Sequence, residues 1–287
     1  MVSSGACSNA VKDRLEGGGL MNSFLAIAAL VCLVLPLLGR GVARKRMTPA
    51  GVFGHRAWVP VGLAILLVNL GLIAHETEVW PMVTVRGGLQ TLALLVGMGW
   101  LVLRSKDRMD AAGVILISIT GMLVAASLVE PDGRVLGSPG GLFFTMHMGL
   151  IFVGLGAFAL SFALSSLFLI QRRRLKRKQL SGIQDLPSLD TLDGLNFRTQ
   201  CAGFVALTVG IAMGFFLAME TGTGRGLRGP TFWGTVGVWG WYAVGLQSWV
   251  IGRWRGKPAA VFGVVGFGAL IGIVALAAVW VGGWHDA

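Results

Sequence analysis

Apolar stretches alternate with short polar connections along nearly the whole chain. The apolar runs fall at about 21–39, 57–75, 88–103, 111–129, 147–170, 200–218, 233–251 and 259–281. Runs of roughly 17 to 25 such residues cross a hydrocarbon core as helices. The third is the shortest. The pattern predicts an all-α polytopic membrane bundle of about eight transmembrane helices in one domain, 21–285, preceded by a disordered tail at 1–20. The longest connection, 171–199, is too short and too polar to build a soluble core.

Composition agrees. Mean hydropathy is +0.74, 54% of residues are hydrophobic and 13% are charged, against about 25% charged in soluble domains. The basic residues predict the orientation. Of 24 Lys and Arg, 18 lie in the connections after the first, third, fifth and seventh segments. The positive-inside rule places those connections in the cytoplasm and both termini on the outer, periplasmic side, in a multi-pass protein of the bacterial inner membrane. The net charge of +11 is then mostly a topology signal. QRRRLKRKQ at 171–179 ends a spanning segment, which fits anchoring at the inner leaflet rather than nucleic-acid binding.

Few catalytic signatures are present. Residues 1–20 lack the apolar core of a signal peptide. Cys7, Cys32 and Cys201 have no C-x-x-C spacing, so neither a zinc site nor a thioredoxin-type motif is predicted, and Cys32 and Cys201 are read as helix packing. No P-loop, G-x-S-x-G or H-E-x-x-H occurs. The segments contain almost no charge, which argues against an ion or proton pathway. Close helix approach is expected at Gly154 and Gly156 and at Gly268 and Gly272.

The histidines are better placed. His75 ends the second segment, His147 opens the fifth and His285 follows the eighth, all on the predicted outer side; His55 lies among inner basic residues. Histidine is the commonest protein ligand for metals, haem iron included, though a single histidine at a membrane surface is more often an ordinary interfacial residue. The outer connections carry Arg86, Arg134, Arg225 and Arg228. These could pair with carboxylates such as haem propionates or simply be solvated. Among ten tryptophans, Trp58, Trp80, Trp233, Trp280 and Trp284 fall near interfaces, where an aromatic belt is expected. Trp239 and Trp241 lie deeper and could stack on a flat macrocycle.

Three stretches resemble the cytochrome c assembly family of CcsA, CcmC and HemX-like membrane proteins, most of all its shorter HemX- and YpjD-like branch. MHMGLIFVGLGAFALSFALSSLFLIQRRRLKRK (146–178) is similar to the family's histidine-led helix with a basic end. LPSLDTLDGLNFRTQCAGFVALTVGIAMG (186–214) resembles the linker and helix that follow. GRWRGKPAAVFGVVGF (252–267) resembles its cytoplasmic turn, and the chain ends GGWHDA where the family has Gly-x-His. The likeness covers roughly 60–285.

The resemblance implies a b-type haem held near the outer face, with His147 and His285 as axial ligands, His75 as a substitute, and Asp286 as a neighbour that could fix an imidazole tautomer. Trp233, Trp239, Trp241 and the four outer arginines would line it. Two features depart from the family. Its W-G-x-x-W-x-W-D segment reads FWGTVGVWGWYAV here, without the Asp, and Gln247 stands where the full synthetase has a membrane histidine. The resemblance therefore implies an assembly factor rather than a complete cytochrome c synthetase, with a CcsB-like protein and apocytochrome c as partners alongside the lipid membrane. Two alternatives follow: a haem-free HemX-like regulatory or scaffold protein working through partners, with the basic loop 171–199 as docking surface, and a haem-b subunit of a respiratory complex.

Overall fold

The computed structural model describes residues 20–35, 37, 49–77, 80–106, 108–130, 141–178, 186–220, 230–252 and 254–283, with backbone alone at 49–57, 76–77, 230–231 and 273–283. Every described element is a helix: α1 (Leu20–Leu35), α2 (Pro49–Thr77), the short 3-10 turn η1 (Pro81–Val83), α3 (Val85–Arg104), α4 (Asp110–Val129), α5 (Gly141–Lys176), α6 (Leu189–Glu220), α7 (Pro230–Val250) and α8 (Lys257–Gly283). Each apolar run of the sequence overlaps one of these helices, the described part of the first ending at Leu35. In lipid no water satisfies the backbone, so only internally bonded helices are stable across the core. α4 shows this well. Its β-branched ILISIT stretch is a weak helix former in water, yet it is regular, and Ser118 and Thr120 donate to the carbonyls of Val114 and Leu116.

The count of eight spans is not reached. Among the described residues, five helices are long and apolar enough to cross a membrane: Trp58–His75, Val85–Arg104, Asp110–Val129, Gly141–Lys176 and Leu189–Glu220. The described part of α1 and the apolar stretch Lys257–Gly272 of α8 fall below 18 residues. α7 is 21 residues long, but Thr231, Thr235, Gln247, Ser248 and four glycines dilute its apolar character. The protein is a multi-pass membrane helix bundle.

The chain forms two compact units, Met1–Lys106 with Ala112–Phe152, and Asp107–Ala111 with Val153–Ala287. In the first, α1 meets α2 at Gly62, where a Cβ would lie 3.1 Å from the Ala29 carbonyl oxygen and from Cys32 Cβ. α3 meets α2 at Gly97, which seats Leu63, and α4 at Gly113, which seats the Trp100 indole. Arg104 lies 5.1 Å over the same Trp100 ring. Between these contacts runs a buried polar chain. Asn69 Nδ2 donates to Gln90 Oε1 (2.9 Å), and Gln90 Nε2 donates to Ser127 Oγ (3.3 Å), so α2, α3 and α4 are joined by hydrogen bonds as well as packing.

The junction of η1 with α3 is capped from within. The buried Thr84 hydroxyl donates to the Pro81 carbonyl and accepts from Gly87 N, both at 3.1 Å. Thr84→Ala is expected to lower stability by about 1 kcal/mol, the usual cost of losing an N-cap. A thermal melt of the detergent-solubilised protein reads this; an unchanged midpoint would mean the cap is dispensable.

In the second unit, Gly154 of α5 packs on α6, its would-be Cβ 3.2 Å from the Gly203 carbonyl oxygen. Phe158 stacks on Tyr242 of α7 at 3.6 Å, and Phe162 meets Phe267 of α8 at 4.8 Å. Gly154 thus serves the close approach predicted for it. For Gly268 and Gly272 no such approach is seen, because among the described residues a Cβ on either would meet nothing within 4 Å. Cys32 is buried in α1, Cys201 is half-buried in α6, and both are free thiols.

Candidate functional site

α5 carries the leading candidate. It has 36 residues, roughly 54 Å at 1.5 Å per residue, well beyond a hydrocarbon core of about 30 Å. At least one of its ends therefore extends outside such a core. At one end, His147 is half-buried, with Phe144 6.5 Å away between ring centroids. At the other end, Arg173, Arg174, Lys176, Arg177 and Lys178 are exposed, where cations complement a helix C-terminus. His75 is exposed near the end of α2. His285, Asp286, Arg134, Arg225 and Arg228 lie outside the described residues. Among the described residues, no group of three His, Cys, Asp or Glu could hold a metal ion.

Of the remaining predicted site residues, Arg86, Trp239 and Trp241 are engaged inside their own units. Arg86 donates from Nη1 to Ser23 Oγ and from Nη2 to the Glu130 carbonyl, both at 3.3 Å. Trp239 Nε1 donates to Thr208 Oγ1 (2.9 Å), and its ring lies 5.5 Å from Phe204. Trp241 Nε1 donates to the Phe262 carbonyl (3.1 Å), and its ring stacks on Phe262 at 4.2 Å. Both indoles bind helix to helix, α7 to α6 and α7 to α8. Trp233 is 64% exposed at the start of α7 and 5.5 Å from Phe232, edge-on, which matches a belt position. Trp58 and Trp80 are exposed too. For a haem, the described residues offer His147 and the exposed His75 as candidate ligands, while Trp239, Trp241 and Arg86 are committed elsewhere.

Two features were not anticipated from the sequence. One is a buried polar lattice in the second unit. Ser161 Oγ donates to Asn196 Oδ1 (2.7 Å), and Gln200 Nε2 donates to Ser161 Oγ (3.0 Å) and Asn196 Oδ1 (3.3 Å). Gly263 of α8 closes it, since a Cβ there would lie 2.7 Å from Ser165 Oγ. The signal in the sequence was the i, i+4 spacing of Ser161 with Ser165 and of Asn196 with Gln200, which puts each pair on one helix face. The second is the turn between α7 and α8. Asp193 Oδ1 accepts from Gly256 N at 3.0 Å. Gly256 has φ +73°, a left-handed conformation that glycine adopts without strain. Arg255 lies 4.3 Å over Trp249, which stacks on Phe197 at 3.7 Å. The start of α6 and this turn are thereby joined, drawing together the second and third stretches of the family resemblance. Gln247 is exposed near the end of α7.

A family model described as cytochrome c assembly protein matches residues 82–285, well over half of the chain. The chain belongs to this family. Its relatives include the cytochrome c biogenesis protein CcsA of Prochlorococcus marinus strain NATL2A, 28% identical over 232 residues that cover 78% of this chain and 66% of that protein. CcsA of strain NATL1A matches equally. Protein HemX of Brevibacillus brevis is 31% identical over 100 residues, 34% of this chain and 36% of that protein. The matched region spans just under two thirds of the CcsA relatives. The family match takes in α3 to α8, the basic end of α5, the Asp193–Gly256 tie and both His147 and His285.

Proposed function

We propose that this chain is a cytochrome c assembly factor of a bacterial inner membrane that works as a scaffold or regulator through protein partners, without a resident haem. The observation that carries this reading is the commitment of Trp239 and Trp241. Each indole N–H is used by a neighbouring helix and each ring faces a phenylalanine. Together with the loss of the family's terminal Asp and with Gln247 in place of a histidine, this describes a bundle held by its tryptophans rather than one that offers them to a porphyrin. A CcsB-like membrane protein and apocytochrome c are the expected partners.

The test is genetic and biochemical. Deleting the gene in its host should remove covalent-haem staining of c-type cytochromes. Tagged chain purified in mild detergent should bring down a membrane assembly protein or an apocytochrome. A deletion strain with normal c-type cytochromes would refute the assignment.

A second reading has its own support. His147 is half-buried at the start of α5, and the family match extends to residue 285. On this reading His147 and His285 would hold a b-type haem, which would supply the redox chemistry. The part of His147 is then to bind and orient. Loss of haem in both His147→Ala and His285→Ala would favour it.

A further inference from the structure

We infer that the basic end of the second unit is a binding surface for the headgroup of an acidic phospholipid. The last turns of α5 and the 254–257 turn stand at the same end of this unit, Gly256 being tied to Asp193 of α6 and placed against Phe168 of α5. Across α5 from Arg172 to Lys178 and the turn from Arg255 to Lys257 there are eight cations, and among the described residues the start of α6 sets Asp190 and Asp193 against them. Asp193 is already used by the Gly256 amide. The turn is also preorganised. Arg255 is held over Trp249, which is stacked on Phe197, and a cation fixed in place loses less freedom when it binds an anion.

The neighbouring surface identifies the class of anion. Ile170 near the end of α5, and Val250, Ile251 and Trp254 leading into the turn, are exposed (Ile251 is 77% exposed). A soluble phosphate or an acidic peptide would satisfy the cations and leave this apolar rim in water. A phospholipid meets both: its phosphate lies among the arginines, its acyl chains cover Ile170, Val250 and Ile251, and the indole sits at the headgroup level that tryptophan prefers. Basic clusters at the ends of membrane helices bind acidic headgroups on this principle.

The experiment uses the full chain, delipidated in a neutral detergent and titrated with phosphatidylglycerol or phosphatidylcholine while binding is followed. Phosphatidylglycerol should bind about tenfold tighter or better, the preference should weaken with salt, and Arg173→Gln/Arg174→Gln/Arg255→Gln/Lys257→Gln should bring it within about twofold. Equal binding of the two lipids by the wild type would overturn the proposal without reference to any variant. So would a folded quadruple variant that keeps the preference. Displacement of phosphatidylglycerol by millimolar inorganic phosphate would mark a free-anion site, and displacement by a polyglutamate peptide would mark a protein-docking surface; either contradicts a lipid site.

Discussion

Gly87→Ala is expected to be among the most damaging single-methyl changes in the chain. A Cβ at Gly87 would overlap the Pro81 carbonyl oxygen and lie 2.7 Å from the Pro81 carbonyl carbon. A side chain could rotate away, but this neighbour is backbone, held by the Thr84 N–H bond to the same oxygen (3.1 Å) and by the Thr84 hydroxyl. Relief requires η1 to move off the start of α3, which breaks the cap and shifts the helix bearing Gln90. Overpacking costs typically 1–3 kcal/mol, and a backbone clash belongs at the upper end, so about 3 kcal/mol is expected. At roughly 2–4 °C per kcal/mol for a chain of this size, the melting midpoint should fall by about 6–12 °C. Gly71→Ala is the control. Nothing lies within 4 Å of a Cβ there, and alanine is the better helix former. A Gly87→Ala protein melting with the wild type would contradict the described junction.

Asn196→Leu should produce the next largest loss, through a different mechanism. Asn196 Oδ1 accepts from both Ser161 and Gln200, and all three residues are buried. Leucine accepts nothing, so two buried donors lose a partner. The cost of stranding buried polar groups is about 1–3 kcal/mol. Hydrogen bonds between helices in bilayers average only about 0.6 kcal/mol each, so the expected total is about 1.5 kcal/mol. The double variant Asn196→Leu/Ser161→Ala should lose less than the sum of the single losses, because it removes donor and acceptor together. Additive losses in an unfolding titration would show that the lattice does not act as a unit.

The sequence made the helices legible and hid what ties them together. Lipid leaves the backbone one local solution, so hydropathy alone located every described α-helix. It missed their lengths where they leave the core. α5 begins at Gly141 and ends at Lys176, and α6 begins at Leu189, well outside the apolar runs. There, capping governs: Ser188 Oγ accepts from Thr191 N at the start of α6 (3.1 Å), and such caps leave hydropathy unchanged. Among the described residues α7 falls short of a span for the converse reason, since it is helical without being apolar enough to qualify by composition. The partners of Asn69, Gln90, Asn196 and Gln200 lie on other helices, so no single segment shows them. Asp193 illustrates the same limit. From the sequence it belongs to a charged docking loop; in the fold its carboxylate holds the Gly256 turn. Of the predicted ligand pair, His147 is placed at the start of α5, and His285 lies outside the described residues.

The most direct test of a partner-dependent, haem-free assembly factor is the pyridine haemochrome spectrum of the chain purified from haem-replete membranes, with His147→Ala and His285→Ala beside it. The account predicts no stoichiometric haem in any of the three, before or after added haemin. One haem per wild-type chain, lost in both variants, would contradict it and establish the two histidines as ligands.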